Sequence, residues 1–278
     1  MEKQKAFPGI MGSIFLLLLL HLLMGLVEFL YTIILSFCGM DSRGFSVFAT
    51  GLFSILSFFG VIILGFKMTG RPVREVFPVK NIDPVFLLYL AITCVGLVIV
   101  LSEVDNIFRN NIPIPNHFSD KMKDLLTGND IISTAILIAV VAPLTEELLF
   151  RGIILNGLKK NHNAIAAIFI SALLFSLFHG NPLQMTGAFF GGLYLAWILE
   201  KTKNILYPIA SHSIFNLFPF LILRMTSIQI EGFTDIDGVS KNYQPLWFDF
   251  SGIIILISGL FLVDRHMKKY FTHVSPEI

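Results

Sequence analysis

Charged residues are scarce in this sequence: they make up 14% of its 278 residues, whereas a soluble domain carries about 25%. Hydrophobic residues account for 55%. This composition excludes an ordinary soluble globule and indicates a chain that crosses a membrane several times. The formal net charge is only +1, which gives no electrostatic basis for binding nucleic acid. We therefore expect the lipid bilayer, and no nucleic acid, among the partners of this chain.

Cysteine is also rare, with only Cys38 and Cys94, both in or at the edge of apolar runs. Two cysteines exclude a disulfide framework and a cysteine-based zinc site, and we interpret both as small buried apolar side chains. The sequence has no HExxH motif either, which excludes the zinc site that two histidines build on one helix of many metalloproteases. No internal repeat is evident.

Long apolar stretches dominate instead. A helix needs about 20 apolar residues to cross the hydrocarbon layer, and eight stretches meet or approach that length. They cover about 10–37, 46–66, 84–102, 131–158, 163–179, 183–200, 205–225 and 247–264. The first begins like a signal peptide, but it is too long for one and shows no cleavage pattern, so we predict a retained membrane span. The expected fold is an all-α membrane protein, a bundle of about eight transmembrane helices with an intramembrane polar site. Residues 1–278 would form a single polytopic membrane domain.

Lysine and arginine are unevenly distributed between the predicted spans. Thirteen lie on one side: Lys3, Lys5, Lys67, Arg71, Arg74, Lys80, Lys159, Lys160, Lys201, Lys203, Arg265, Lys268 and Lys269. Six lie on the other: Arg43, Arg109, Lys121, Lys123, Arg224 and Lys241. Because positively charged loops stay in the cytoplasm, we predict a multi-pass protein of the cell membrane with both termini cytoplasmic. Asp264, Arg265 and His266 are expected to mark a solvated end of the last span.

Three ionisable residues interrupt the fourth apolar stretch: Glu146, Glu147 and Arg151. A charge at the centre of a membrane helix costs about 2.5–3.5 kcal/mol on insertion scales, so such residues face protein or a water-filled cavity and indicate a functional site. On a helix, residues four apart share a face, so we predict that Glu147 pairs with Arg151. Glu146 points about 100° away and is left as a candidate general base.

Two further pairs of residues, each with a histidine, lie towards the ends of other spans. Phe175-x-x-x-His179 closes the fifth stretch, and His212-x-x-x-Asn216 opens the seventh with both side chains on one helix face. Together with the two glutamates they supply a carboxylate, imidazoles and an amide donor, the parts of a site that activates water and stabilises an oxyanion. His179 would reach this site only if the short fifth span begins deep in the bundle or if the turn at 179–182 is buried.

Two other functions are compatible with these residues. Buried glutamate and histidine also serve membrane transporters and proton relays, but transporters often show repeat symmetry, and none is evident here. A catalytically idle membrane adaptor that keeps the fold is the other alternative, and the intact motifs argue against it. A small-residue stripe at Gly187, Ala188, Gly191 and Gly192 is expected to let another helix approach the sixth span closely.

The three motifs, in this order within 130–220, resemble those of the CPBP intramembrane protease family, also called the Abi or CAAX prenyl protease type 2-like family. The resemblance implies that 130–220 is the catalytic core of an intramembrane endopeptidase. Such an enzyme hydrolyses peptide bonds of membrane-associated proteins or peptides, as in CAAX-type processing or in bacteriocin-related maturation or immunity. Neither the substrate nor the oligomeric state follows from the motifs.

The resemblance also implies a role for each motif residue. Glu146 would act with His179 to activate water, while His212 and Asn216 would stabilise the oxyanion. Glu147, Arg151 and Phe175 would support them. Members have been described as metalloproteases and later as glutamate proteases. If Arg151 pairs with Glu147, and His212 serves the oxyanion, too few ligands remain for zinc. We therefore expect no cofactor and no metal, with zinc as the alternative that we do not favour.

Overall fold

The computed structural model describes residues 6–39, 47–112, 123, 126–128, 130–235 and 242–270. Five of the charges used to predict the orientation lie outside these residues: Lys3, Lys5, Arg43, Lys121 and Lys241. In the described part, the regular elements are helices. They are α1 (Ile10–Phe37), α2 (Val47–Thr69), α3 (Val73–Val76), α4 (Pro84–Asn111), α5 (Ile131–Asn161), α6 (Ala164–Phe178), α7 (Pro182–Thr202), α8 (Leu206–Met225) and α9 (Leu246–Tyr270).

Eight of these helices coincide with the eight apolar stretches, which confirms the predicted all-α membrane bundle. Seven helices within the described ranges are long and apolar enough to cross a membrane, and the chain is an integral, multi-pass membrane protein. The eighth, α6, has 15 residues and extends only about 22 Å at ~1.5 Å per residue, less than the ~30 Å hydrocarbon layer. Because α6 is short, His179 at its carboxyl end lies at the depth of the polar residues on α5.

The helix boundaries follow from local sequence signals. Four helices begin at an Asp or Asn whose side chain accepts a hydrogen bond from a backbone amide of the first turn: Asp83 before α4, Asp130 before α5, Asn163 before α6 and Asn181 before α7. Such caps satisfy amide groups that a helix leaves unpaired at its start. Between α6 and α7, Gly180 adopts a φ of 59°, a left-handed conformation that glycine takes without strain. The turn that the sequence placed at 179–182 is therefore tight.

Helix α5 packs against α2, α6 and α8. Its carboxyl half contributes Leu149, Phe150, Ile153 and Ile154 to the larger apolar core, and all four are fully buried. A second core lies between α4, α7, α8 and α9. The motif residues on α5 therefore lie beside the larger apolar core, to which Phe175 also belongs.

The closest helix packing occurs between α4 and α9, a pair that the sequence did not single out. A Cβ at Gly96 would collide with the backbone of Leu256, and one at Gly259 would lie 2.7 Å from the backbone of Thr93. The predicted close approach at α7 is present as well: a Cβ at Gly192 would lie 3.3 Å from Ala172 on α6. Small residues thus bring two helix pairs together.

The end of α9 differs from the expectation in one residue. Asp264 and Arg265 are exposed, as predicted, but His266 is buried. Its Nε2 lies 2.9 Å from Oδ2 of Asp83, the residue that caps α4. The reason is the close packing of α4 against α9, which brings the first turn of one helix beside the last turns of the other.

Candidate active site

Helix α5 changes its hydrogen-bonding pattern on both sides of the two glutamates. Leu137–Val141 and Leu148–Leu155 are π-helical, and Ala142–Glu147 between them is α-helical. Wider π-helical turns are rare and occur frequently at functional sites. A periodicity of 3.6 residues therefore does not describe this segment, and the angles predicted from it are only approximate.

Proline explains the contact that Asn216 makes. The amide of Ala142 bonds to the carbonyl of Leu137, and Pro143, the next residue, has no N–H to donate. The carbonyl of Ile138 would accept from residue 142 in an α-helix or from residue 143 in a π-helix. Neither residue supplies an amide hydrogen to it. Asn216 Nδ2 on α8 donates to it at 2.9 Å. This hydrogen bond fixes the Asn216 side chain against α5, about two helical turns before Glu146 along the chain.

The predicted ion pair between Glu147 and Arg151 is present. Glu147 Oε1 lies 3.0 Å from Arg151 Nη1, and the two side chains are 0% and 1% exposed. Arg151 Nη2 also donates to the carbonyl of Gly192 on α7 at 3.2 Å, and its guanidinium carbon lies 4.4 Å from the ring centroid of Phe175. Arg151 therefore joins α5, α6 and α7 in a dry environment.

His212 lies between the two glutamates, with one ring nitrogen towards each of them. Its Nδ1 lies 2.8 Å from Glu147 Oε1. An ionised carboxylate only accepts hydrogen bonds, so Nδ1 carries the hydrogen and donates it. Its Nε2 lies 3.9 Å from Glu146 Oε2, which is too long for a direct hydrogen bond. The sequence paired His212 with Asn216; the structure adds contacts with both glutamates.

Glu146 has different surroundings from its neighbour. Its side chain is 12% exposed, and its buried Oε2 has no hydrogen-bond partner among the described residues. The Oε1 atom of Glu147, by contrast, is shared by Arg151 and His212. Oε2 of Glu147 also lacks a partner among the described residues, so the two carboxylates differ in the ion pair and hydrogen bond at Oε1 of Glu147 and in the partial exposure of Glu146.

His179 and His212 approach the same aromatic ring. The Phe175 ring centroid lies 4.8 Å from that of His179 and 5.7 Å from that of His212, both edge-on. His179 Nδ1 lies 2.8 Å from the carbonyl of Phe175, which can only accept, so a neutral His179 keeps its lone pair on Nε2. Phe175 is therefore the point at which the three motifs meet.

Sequence reasoning did not find three groups that complete the site. The carbonyl of Gly192 accepts from Arg151, the carbonyl of Ile138 accepts from Asn216, and the Phe150 ring packs edge-on against Phe175 at 4.9 Å. Carbonyl groups carry no sequence signal. The one available clue was Pro143, which predicts an unpaired carbonyl in the preceding turn.

The site offers few side chains that could bind a metal ion. Glu147 is engaged by Arg151 and His212, and His179 is engaged at Nδ1 by a backbone carbonyl. Over the described ranges, no three His, Cys, Asp or Glu side chains are grouped so that they could hold a metal ion. Zinc sites in proteins usually have three or four such ligands.

The fold and the site define an α-helical membrane protein with a buried glutamate, histidine and arginine cluster where three motif-bearing helices meet. Residues 128–218 match the sequence model of the family described as "Type II CAAX prenyl endopeptidase Rce1-like". This match confirms the resemblance inferred from the three motifs, and the matched segment contains every motif residue. No solved structure gives a significant match.

Two curated bacterial proteins are similar over part of their length. The "Putative membrane peptidase YdiL" of Bacillus subtilis (strain 168) is 31% identical over 80 residues, which are 29% of this chain and 33% of that protein. The "UPF0177 protein YxdF" of Lactococcus lactis subsp. lactis (strain IL1403) is 31% identical over 98 residues, 35% of this chain and 54% of that protein. The chain thus matches about a third and about half of the lengths of these relatives.

Proposed function

We propose that the protein is an intramembrane endopeptidase that hydrolyses a peptide bond of a membrane-associated protein or peptide, with a water molecule activated by Glu146. The observation that carries this proposal is the contrast between the two carboxylates. Glu147 is 0% exposed and its Oε1 is held by Arg151 and His212, whereas Glu146 is 12% exposed and its Oε2 has no hydrogen-bond partner among the described residues. A carboxylate in that position is suited to accept a proton from water.

The reaction would proceed in two proton transfers. Glu146 takes a proton from water while the water oxygen attacks the carbonyl carbon of the scissile bond, which gives a tetrahedral oxyanion. The same proton then passes to the leaving nitrogen as the C–N bond breaks, and Glu146 returns to its starting state.

We propose that His179 positions the attacking water and that Asn216 stabilises the oxyanion. The contact of His179 Nδ1 with the Phe175 carbonyl directs the lone pair of a neutral ring to Nε2. The Asn216 amide has two N–H groups, and only one is needed for the Ile138 carbonyl. The second is available to a developing oxyanion, a contribution of about 3–4 kcal/mol in comparable sites. His212 can add a donor from Nε2 when its ring carries a second proton.

We propose a metal-free mechanism of the glutamate type, because the described residues include no group of three potential metal ligands. For the substrate, the family description names CAAX prenyl endopeptidases, and the name of the Bacillus subtilis relative is that of a putative membrane peptidase. We accordingly propose a membrane-associated protein or peptide that is processed in a CAAX-like or bacteriocin-related manner.

A comparison of membrane proteomes tests this function. Cells that produce wild-type protein should contain cleavage fragments that are absent from cells with Glu146→Gln, because the amide keeps the size of the side chain but cannot take the proton. The matched control is Glu28→Gln, which alters an exposed glutamate on α1 and should leave the fragments unchanged. Identical fragments in wild type and Glu146→Gln would refute the proposed activity.

A further inference from the structure

The exposure of α5 changes abruptly along its length. In its first part, 131–142, every residue except Thr134 is at least partly exposed. In 149–155, all residues are buried. One strip of the helix, from Ile132 to Leu144, is apolar and exposed, as a lipid-facing surface would be. The other sides of 131–142 are partly exposed too. Protein therefore encloses α5 only beyond the two glutamates.

Helices α7 and α8 show the same change. Residues 182–190 of α7 are all at least partly exposed, whereas most residues from Gly191 onwards are buried. On α8, which runs in the opposite direction, Ser211 and His212 are buried and 213–219 are all partly exposed. The partly exposed parts lie at one end of the bundle, because Arg224 near the end of α8 bonds to the carbonyls of Thr127 and Gly128, just before α5. We call this the open end.

Gly187 identifies the space between these helices. It is only partly exposed, yet a Cβ placed on it would meet no atom of another helix within 4 Å. A Cβ on Gly191, one turn further along the same face, would lie 3.5 Å from Phe215 on α8. Helices α7 and α8 are thus in contact beside the site and separate towards the open end. We call the unfilled space beside Gly187, between the partly exposed parts of α5, α7 and α8, the crevice.

The opposite end of the bundle is closed and positively charged. Among the described residues, eleven lysines and arginines lie at the closed end: Lys67, Arg71, Arg74, Lys80, Lys159, Lys160, Lys201, Lys203, Arg265, Lys268 and Lys269. Three lie at the open end: Arg109, Lys123 and Arg224. Since loops rich in lysine and arginine stay in the cytoplasm, the crevice faces the other side of the membrane.

We propose that the substrate reaches Glu146 from the outer face of the membrane, through the crevice beside Gly187. The substrate is then a membrane-associated peptide segment whose scissile bond lies outside the cytoplasm. This inference rests on the proposed endopeptidase function for the identity of the occupant. The direction of access rests on the exposure and charge of the helices alone.

Single cysteines labelled from each side of the membrane test the direction. Cys94 is buried as predicted and is retained, whereas Cys38 is exposed, contrary to the prediction, and is first replaced by serine. Gly187→Cys probes the crevice, and Gln184→Cys is a second probe on the same segment that replaces no glycine. Lys160→Cys marks the closed end, where Lys160 is exposed. Gly60→Cys is the matched glycine control, because Gly60 is exposed on α2 with no atom of another helix within 4 Å of a built Cβ.

A charged, membrane-impermeant thiol reagent is added to intact and to permeabilised cells. We expect Gly187→Cys and Gln184→Cys to react in intact cells, Lys160→Cys to react only after permeabilisation, and Gly60→Cys to react in neither. The proposal is overturned if the two crevice cysteines react only after permeabilisation, if both stay unreactive, or if Gly60→Cys reacts as readily as they do.

The same experiment on the Glu146→Gln background separates this inference from the proposed function. The labelling pattern depends on access and not on catalysis, so it should be unchanged there. The expected labelling together with fragments that do not depend on Glu146 would support the crevice and refute the peptidase. Labelling from the cytoplasmic side together with Glu146-dependent fragments would refute the crevice and support the peptidase.

Discussion

Glu147 and Arg151 illustrate how one residue in a membrane interior depends on another. The guanidinium is fully buried, and its ionised partner is the carboxylate 3.0 Å away. His212 uses the same carboxylate oxygen. Burial of an unpaired charge costs far more than the net gain from the pair, so we assign Glu147 to maintaining the site and Glu146 to the chemistry within it.

Glu147→Ala should therefore destabilise the protein. Removal of one partner of a buried ion pair typically costs about 3–5 kcal/mol, and we expect a lower Tm and a reduced folded yield in detergent together with loss of cleavage. Glu146→Gln should unfold at the wild-type temperature. Equal Tm values for Glu147→Ala and wild type would show that Arg151 does not depend on this carboxylate.

Asn216→Ala should affect turnover more than substrate binding, because an oxyanion forms only in the transition state. We expect kcat to fall by about 10²–10³-fold with a much smaller change in KM, measured by steady-state cleavage of a substrate found by the fragment comparison. A comparable polar change outside the site, Asn111→Ala, should leave both constants unchanged, since among the described residues the Asn111 side chain bonds to the carbonyl of Ile107 on its own helix and to no other group. A raised KM as the sole effect of Asn216→Ala would argue for a role in binding.

At the scale of helices, the position of α4 relative to α9 depends on Asp83. This carboxylate accepts hydrogen bonds from the amides of Val85 and Phe86 and lies 2.9 Å from His266 Nε2. Burial acts to raise the pKa of Asp83, but the bonds from the two amides and the proximity of His266 outweigh it, so the pKa lies below the usual 3.8. The ionised form is thus favoured in the folded protein.

A carboxylate with a lowered pKa in the folded state contributes stability above its unfolded pKa, and this contribution is lost as the pH falls through its folded pKa. Asp83→Asn keeps the helix cap, because asparagine caps as well as aspartate, and removes only the charge. We expect a lower Tm than wild type near neutral pH and a difference that shrinks as the pH falls below 3.8. A Tm difference that is constant from neutral to acid pH would contradict this assignment.

The sequence predicted contacts within helices better than contacts between them. The four-residue spacing of Glu147 and Arg151 was sufficient for their ion pair. The bond from His212 to Glu147 and the close packing of α4 against α9 at Gly96 were not predicted. Both depend on how the helices rotate and cross, which hydropathy does not specify. The π-helical segments of α5 were missed because a sequence has no distinctive periodicity for so few residues.

For the molecule as a whole, hydropathy was enough to predict a membrane bundle, and the motifs indicated which helices carry the polar site. Single-sequence patterns did not reveal that the bundle is enclosed at one end of the site and open at the other. That asymmetry follows from packing along α5, α7 and α8. In our proposal, this asymmetry determines from which side a substrate reaches Glu146.

The donor set also leads to an expectation for the purified protein. Because no three potential ligands are grouped in the described part of the chain, cleavage should persist after exhaustive chelation, and elemental analysis should find less than one zinc per chain. One zinc per chain, with activity that is lost on its removal and restored on its return, would instead establish a metalloprotease.

The most direct test of the account is the cleavage rate of Glu146→Gln in purified, membrane-reconstituted protein, measured alongside its Tm. General base catalysis typically contributes about 10²–10⁴-fold. We therefore predict a rate lower by at least about 100-fold at an unchanged Tm, with Glu28→Gln at the wild-type rate. Wild-type turnover by a folded Glu146→Gln protein would contradict the assignment of Glu146 as the base that activates water.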